Sequence, residues 1–165
     1  MKTLKIKKVC VVTGSRADYG LLKNLLSLIK KEKLLSLQLV VTGSHLSKKH
    51  GNTLKEIIKD KFKIKNKVDL KLFGDNTFSI TKSMSLGLSK FVKVYDKNKP
   101  DIVILLGDRY EIFTACCAAS LCRLPIGHIH GGEVTLSSLD EAFRHAISKM
   151  SHLHFTASQE YQKRV

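Results

Sequence analysis

The chain is short of the residues that usually announce a zinc module, a thiol redox centre or a nucleic-acid platform. None of its four cysteines stands in a Cys-x-x-Cys pair. That excludes the common zinc and thioredoxin-like spacings, and Cys10, Cys116, Cys117 and Cys122 are expected to be reduced core thiols. No apolar stretch approaches the roughly 20 residues needed to cross a membrane. Behind the basic start, Met1 to Lys8, the apolar run is only Val9 to Val12. It is too short for a signal-peptide core and reads as a first strand, so a cytoplasmic protein is expected. There is no tryptophan, and aromatic residues make up 7% of the chain. Few of them interleave the lysines, which argues against a nucleic-acid surface.

Acidic residues are also scarce. Fourteen Asp and Glu stand against 29 Lys and Arg, a net charge of +15. Lysines crowd residues 55 to 71 and the N-terminus. A basic protein can take nucleic acid by counterion release, but lysine dominates arginine and no helix-turn-helix, zinc-finger or RNA-binding signature is present. A solvated lysine-rich face is the better reading.

What is present is an alternation of short β-branched runs with longer helical periods. Strands are expected at Ile6 to Thr13, Leu37 to Thr42, Lys67 to Leu72, Ile102 to Leu106, Ile126 to His130 and His152 to Thr156. Helices are expected at Tyr19 to Lys31, Thr53 to Asp60, Ser79 to Asn98, Tyr110 to Cys122 and Leu139 to Met150, with Ser158 capping a last one. The two prolines, Pro100 and Pro125, each stand at the opening of an apolar run. Six β–α pairs with fully apolar central strands predict an α/β fold, a doubly wound parallel sheet covered on both faces. The final helical run breaks off at Val165 without a C-cap, and a larger protein stopped midway is the expectation.

In such a fold the ligand site lies beyond the carboxyl ends of the strands, and four segments fall there. Gly14-Ser15-Arg16-Ala17-Asp18-Tyr19-Gly20 joins the first strand to its helix. It offers backbone donors and a positive dipole to an anion, or it is simply a capped turn with Arg16 in solvent. It is not Gly-x-Gly-x-x-Gly, so no dinucleotide cofactor is indicated. Asp108 and Arg109 follow a buried strand, where a carboxylate can act in proton transfer and an arginine can offset phosphate charge. His128 and His130 alternate on one strand, which would point both to one face. Gly131-Gly132-Glu133 follows, expected to lay backbone close against a ligand. Asp140, Glu141, Arg144 and His145 open a helix, and Asp140 and Arg144 could be an intrahelical ion pair. A metal would need a third ligand beside the histidines, such as Glu133 or Asp108, and is not expected.

Taken together, Gly-Ser-Arg-Ala-Asp-Tyr-Gly at 14–20, Gly-Asp-Arg-Tyr-Glu at 107–111, His-Ile-His-Gly-Gly-Glu at 128–133 and the run from Asp140 to Phe155 resemble the hydrolysing UDP-N-acetylglucosamine 2-epimerases of sialic and legionaminic acid synthesis. The resemblance covers the whole chain. The non-hydrolysing enzymes share the layout, but their histidine strand typically continues into Glu-Ala-Gly-Leu-Arg, where this chain has Gly131-Gly132-Glu133. It implies a Rossmann-like N-terminal domain, residues 1–165, of a glycosyltransferase-B-like two-domain architecture, the other domain supplying most uridine contacts. It also implies elimination of UDP to a 2-acetamidoglucal, then rehydration with inversion at C2.

Carried over, Asp108, Asp140, His130, Glu133 and Arg144 become the catalytic candidates. Arg16, Gly20, Arg109, His128, Gly131, Gly132, Glu141 and His145 become contacts to the sugar or nucleotide. No cofactor is implied; the partner is a nucleotide sugar, and the complete protein is expected to be a homo-oligomer. Two features depart from the pattern. Many members carry glutamate where His130 stands, and one extra residue separates Gly-Gly-Glu from Asp140. They leave three outcomes: a neutral His130 base, substitution by Glu133, or another sugar, such as a diacetamido-trideoxy or GDP-linked one. The rival readings are a catalytically silent domain that binds a nucleotide or partner subunit and, more remotely, a nucleic-acid-binding domain.

Overall fold

The protein was described from a computed structural model, which defines residues 5–47, 53–135 and 139–165. Six strands, β1 (Lys7–Thr13), β2 (Leu35–Thr42), β3 (Ile64–Val68), β4 (Ile102–Leu106), β5 (Ile126–Ile129) and β6 (Leu153–Phe155), form one sheet in the order β3-β2-β1-β4-β5-β6. Every neighbouring pair is parallel. The helices are α1 (Arg16–Lys31), α2 (Leu54–Lys59), α3 (Thr77–Asn98), α4 (Tyr110–Leu121), α5 (Leu139–Met150) and α6 (Gln159–Gln162). The strand order reverses between β1 and β4, so a crevice opens at their carboxyl ends.

Successive strand residues point to opposite faces, and the core divides accordingly. Val9, Val11, Leu39, Val41, Ile104 and Leu106 pack with Tyr19, Leu22 and Leu26 of α1. Cys10, Val12, Val40, Val103 and Leu105 pack on the other face with Phe91 and Tyr95 of α3, residues of α4, and Ile147 of α5. On α3, Phe91 and Tyr95 are fully buried. Cys10 and Cys116 are buried and all four cysteines are free. No helix among the described residues is long and apolar enough to cross a membrane.

One strand was misplaced by the sequence. The third strand is expected near Lys67 to Leu72, but β3 runs from Ile64 and ends at Val68. There the Thr42 hydroxyl donates to the Val68 carbonyl at 2.7 Å. Asp69 then accepts from the Lys71 backbone N–H at 2.8 Å, and Lys71 turns the chain at φ 54°. Leu70 is buried, but in the core beside α3 rather than in the sheet. Elsewhere the ends shift by a residue or two, except that α1 starts at Arg16 rather than Tyr19, because its cap forms earlier.

Candidate functional site

The loops after β1 and β2 meet at one end of the crevice. Ser15 caps α1: its hydroxyl accepts from the Asp18 N–H, while the Asp18 carboxylate accepts from the N–H groups of Ser15 at 2.9 Å and Gly14 at 3.3 Å. This reciprocal capping box uses the helix-end donors that an external anion would need. The Ser44 hydroxyl donates to the Gly14 carbonyl at 3.0 Å, and Gly43, at φ +57°, leaves no room for a Cβ against that same oxygen. The fully buried His45 ring joins Thr13 at 3.0 Å to Thr53 at 2.6 Å, and burial lowers its pKa. Arg16 is mostly exposed and pairs with Glu56 of α2 at 3.0 Å. Gly20 lies in the second turn of α1, exposed and with open space where a Cβ would be. On this side the plainer sequence reading, a capped turn, describes the geometry.

The loops after β4 and β5 are organised differently. Gly107, at φ +81°, ends β4 and delivers Asp108 and Arg109 to the crevice before α4 begins. Arg144, from the second turn of α5, reaches across to the Asp108 carboxylate and lies 3.8 Å from Glu133. Glu133 in turn bonds His130 Nδ1 at 2.5 Å. A continuous chain of polar contacts, His130–Glu133–Arg144–Asp108, thus joins two strand ends and a helix. It is screened but not sealed: side-chain exposures are 10% at Arg144, 16% at Asp108, 27% at Glu133 and 35% at His130. Asp140 belongs to the same field. Burial and then the Asp108 charge push its pKa up, against Arg109 and Arg144. All five residues picked as catalytic candidates therefore lie in one electrostatic neighbourhood, though 36 residues separate Asp108 from Arg144 in sequence.

Two readings of this edge need correction. His128 and His130 do not share a face, because β5 ends at Ile129 and His130 adopts φ 64°. His128 is wholly buried and shows no surface to a ligand. Its Nε2 lies 2.8 Å from the Gly107 carbonyl and its Nδ1 3.1 Å from the Ser148 hydroxyl. A carbonyl only accepts, so Nε2 carries the hydrogen and Nδ1 receives the hydroxyl. Burial takes the ring's pKa down to about 4, which keeps it neutral as a strut between β4, β5 and α5. The close approach at the two glycines is to the chain itself. A Cβ on Gly131 would sit 2.7 Å from Ser148 Oγ and 2.9 Å from His128, and one on Gly132 would strike the Tyr161 backbone. They let the chain pack against itself. Further out, Glu141 accepts from the Thr135 N–H at 2.7 Å and bonds His145 at 2.9 Å. Those contacts, the backbone one first, hold the Glu141 pKa down.

Glu111 was quoted in the motif but given no part. It is fully buried, with one oxygen 3.3 Å from Arg109 Nε and the other without a hydrogen-bond partner. Burial raises its pKa, against the pull of Arg109. Burial also works against the Arg109 charge, but Glu111, with Asp18 and Asp140 beyond, outweighs it and holds the guanidinium firmly protonated. A glutamate in the first turn suits the helix dipole, so the sequence alone did not single it out; its full burial beside Arg109 does.

The crevice therefore presents the Arg109 guanidinium, suited to a phosphate, beside carboxylates and an imidazole able to move protons. The profile of the family described as UDP-N-acetylglucosamine 2-epimerase matches residues 27–165. The chain belongs to this family. It is 46% identical over 159 residues to the GDP/UDP-N,N'-diacetylbacillosamine 2-epimerase (hydrolyzing) of Campylobacter jejuni, which covers 96% of this chain and 41% of that protein. It is 45% identical to polysialic acid biosynthesis protein P7 of Escherichia coli, over 97% of this chain and 41% of the relative. The fold matches that of the UDP-GlcNAc 2-epimerase of Neisseria meningitidis bound to UDP-GlcNAc, with a TM-score of 0.81 and 23% identity, over 95% of this chain and 42% of that one. The chain thus spans about two fifths of its relatives' length, and its Rossmann-like sheet corresponds to the N-terminal half of a glycosyltransferase-B-like architecture.

Proposed function

We propose that this chain is the acid–base half of a hydrolysing sugar-nucleotide 2-epimerase, acting on a UDP-linked 2-acetamido sugar. The observation that carries the reading is the linked set His130–Glu133–Arg144–Asp108 at the switch point of the sheet, in a chain of this family. UDP leaves C1 while a proton leaves C2, giving a 2-acetamidoglycal. Water then adds across the double bond, its oxygen to C1 and a proton to C2 on the opposite face, releasing the free epimeric sugar.

Each group has work in that scheme. The C2 proton is weakly acidic, so departure of UDP leads and the sugar gains oxocarbenium character. Arg109, held charged by Glu111, faces the departing diphosphate, where fixed cations act strongly. Arg16 would join it on leaving Glu56. Asp108 and Asp140 are the acid–base pair, with Asp140 in the general-acid role because its raised pKa lets it hold a proton to higher pH. Glu133, as a carboxylate, accepts from His130 Nδ1, which leaves Nε2 with its lone pair as a neutral base. Arg144 orients Asp108 and Glu133. Nothing in the scheme calls for a cofactor. The Campylobacter relative's name favours a diacetamido-trideoxy sugar over N-acetylglucosamine. We further place the protein in the cytoplasm and the complete enzyme among homo-oligomers.

The test is turnover of UDP-N-acetylglucosamine and UDP-N,N'-diacetylbacillosamine by the complete protein in heavy water. Release of UDP with one deuterium at C2 of the product supports the reading. Binding of both without UDP release would favour a catalytically silent domain, a reading to which the self-capped α1 loop already lends weight.

A further inference from the structure

The opposite end of the sheet carries a second concavity. The starts of β1, β2 and β3 and the end of α3 enclose a cavity of about 590 Å³, within the range that holds small ligands. Lys8, Lys63, Lys65 and Lys97 line it, and among the described residues none of the four ammonium groups joins an ion pair. Lys97 has a local reason to be there, since a cation complements the last turn of α3. The other three have none, and like charges gathered round one space repel each other.

The floor of the cavity adds an independent observation. Gln38 is 6% exposed, and its Nε2 donates to the Asn98 carbonyl at 3.3 Å, while its Oε1 has no hydrogen-bond partner. The Asn98 amide is turned to Asn66, to which it donates at 2.6 Å. A buried acceptor left unmet costs free energy, and Gln38 is among the residues that line the cavity. No aromatic ring lines the cavity to stack on a base, and lysines recognise phosphate as point charges rather than as planar forks.

We propose that this cavity binds a compact, multiply charged organic anion bearing hydroxyl groups, of the sugar-bisphosphate class. The phosphates lie against the lysines and one hydroxyl donates to Gln38. The site is independent of the epimerase reading, since it shares no residue with the crevice at the other end of the strands.

The experiment is titration of the full chain with fructose 1,6-bisphosphate, inorganic phosphate and fructose, followed by calorimetry and backbone amide NMR. The bisphosphate should bind with shifts confined to the starts of β1–β3 and the end of α3, and inorganic phosphate at least ten-fold more weakly. The double variant Lys63→Ala/Lys65→Ala alters only exposed side chains and should weaken the bisphosphate at least ten-fold. Gln38→Met should weaken the bisphosphate several-fold and leave phosphate unchanged. Equal affinity for phosphate and bisphosphate would reduce the site to an adventitious ion only. Shifts confined to residues 107–145 would move the anion to the other crevice, and preference for an oligonucleotide of equal charge would make this a nucleic-acid surface. Either result overturns the proposal.

Discussion

The two halves of the crevice use similar residue types to opposite ends. Around β1 and β2, polar groups close on each other: Asp18 on the α1 N–H groups, Ser44 on Gly14, and His45 between Thr13 and Thr53. Around β4 and β5, they are held short of closure. Glu111 keeps an unmet oxygen, Arg144 Nε lacks a hydrogen-bond partner, and His130 sits at φ 64°. A satisfied network stabilises a turn, whereas half-satisfied, partly buried charge is stable only where something else repays it. In the proposed reading the first half is scaffold and the second is the place for chemistry.

The largest effect expected from this contrast is on turnover. Asp108→Asn in the complete protein should lower kcat about 10³-fold, the scale of a lost acid or base, while thermal unfolding stays cooperative. Next comes Arg144→Leu. It strands Asp108 and Glu133 in a little-hydrated site and should cost about 3 kcal/mol in urea unfolding. A loss below ~0.5 kcal/mol would show that the chain of polar contacts is not structural.

The pH dependence is third. The folded pKa of His128 is about 4 against an ordinary 6.5, so the unfolded chain takes up its proton first as pH falls. The stability owed to the neutral ring is complete above pH 6.5 and drains away towards pH 4, by up to about 3 kcal/mol. Glu111 and Asp140, whose pKa values are raised, work in the opposite direction. His128→Gln should flatten the fall in stability over this window, and an unchanged slope would count against the strut. The smallest effect belongs to the scaffold. Ser15→Ala should cost about 1 kcal/mol of stability with kcat nearly unchanged. A loss of turnover like that of Asp108→Asn would erase the distinction between the halves.

Much of this was legible beforehand. Fully apolar runs such as Ile102 to Leu106 allow only a strand covered on both faces, and the β–α alternation then leaves few topologies. Asp108, Asp140 and Arg144 could be singled out because charge directly after a buried strand, or opening the next helix, must emerge at the same edge. The errors have a common source. The sequence shows spacing but not where a strand stops, so β3 was drawn too late and His130 was kept in β5. Nor does it show what a glycine avoids, and the close approach at Gly131 and Gly132 turned out to be to Ser148 and Tyr161.

By itself, then, the sequence determined the class of fold, the edge where the charged motifs gather and the residue types found there, because periodicity and burial are local properties written in the order of side chains. Only the tertiary structure decided the partnerships: that Arg144 meets Asp108, that His128 is a strut while His130 leans on Glu133, and that Asp18 already holds the α1 N-terminus. Those depend on how the sheet is ordered and where each strand ends, and a charge 36 residues away in sequence becomes a neighbour only once the strands have paired.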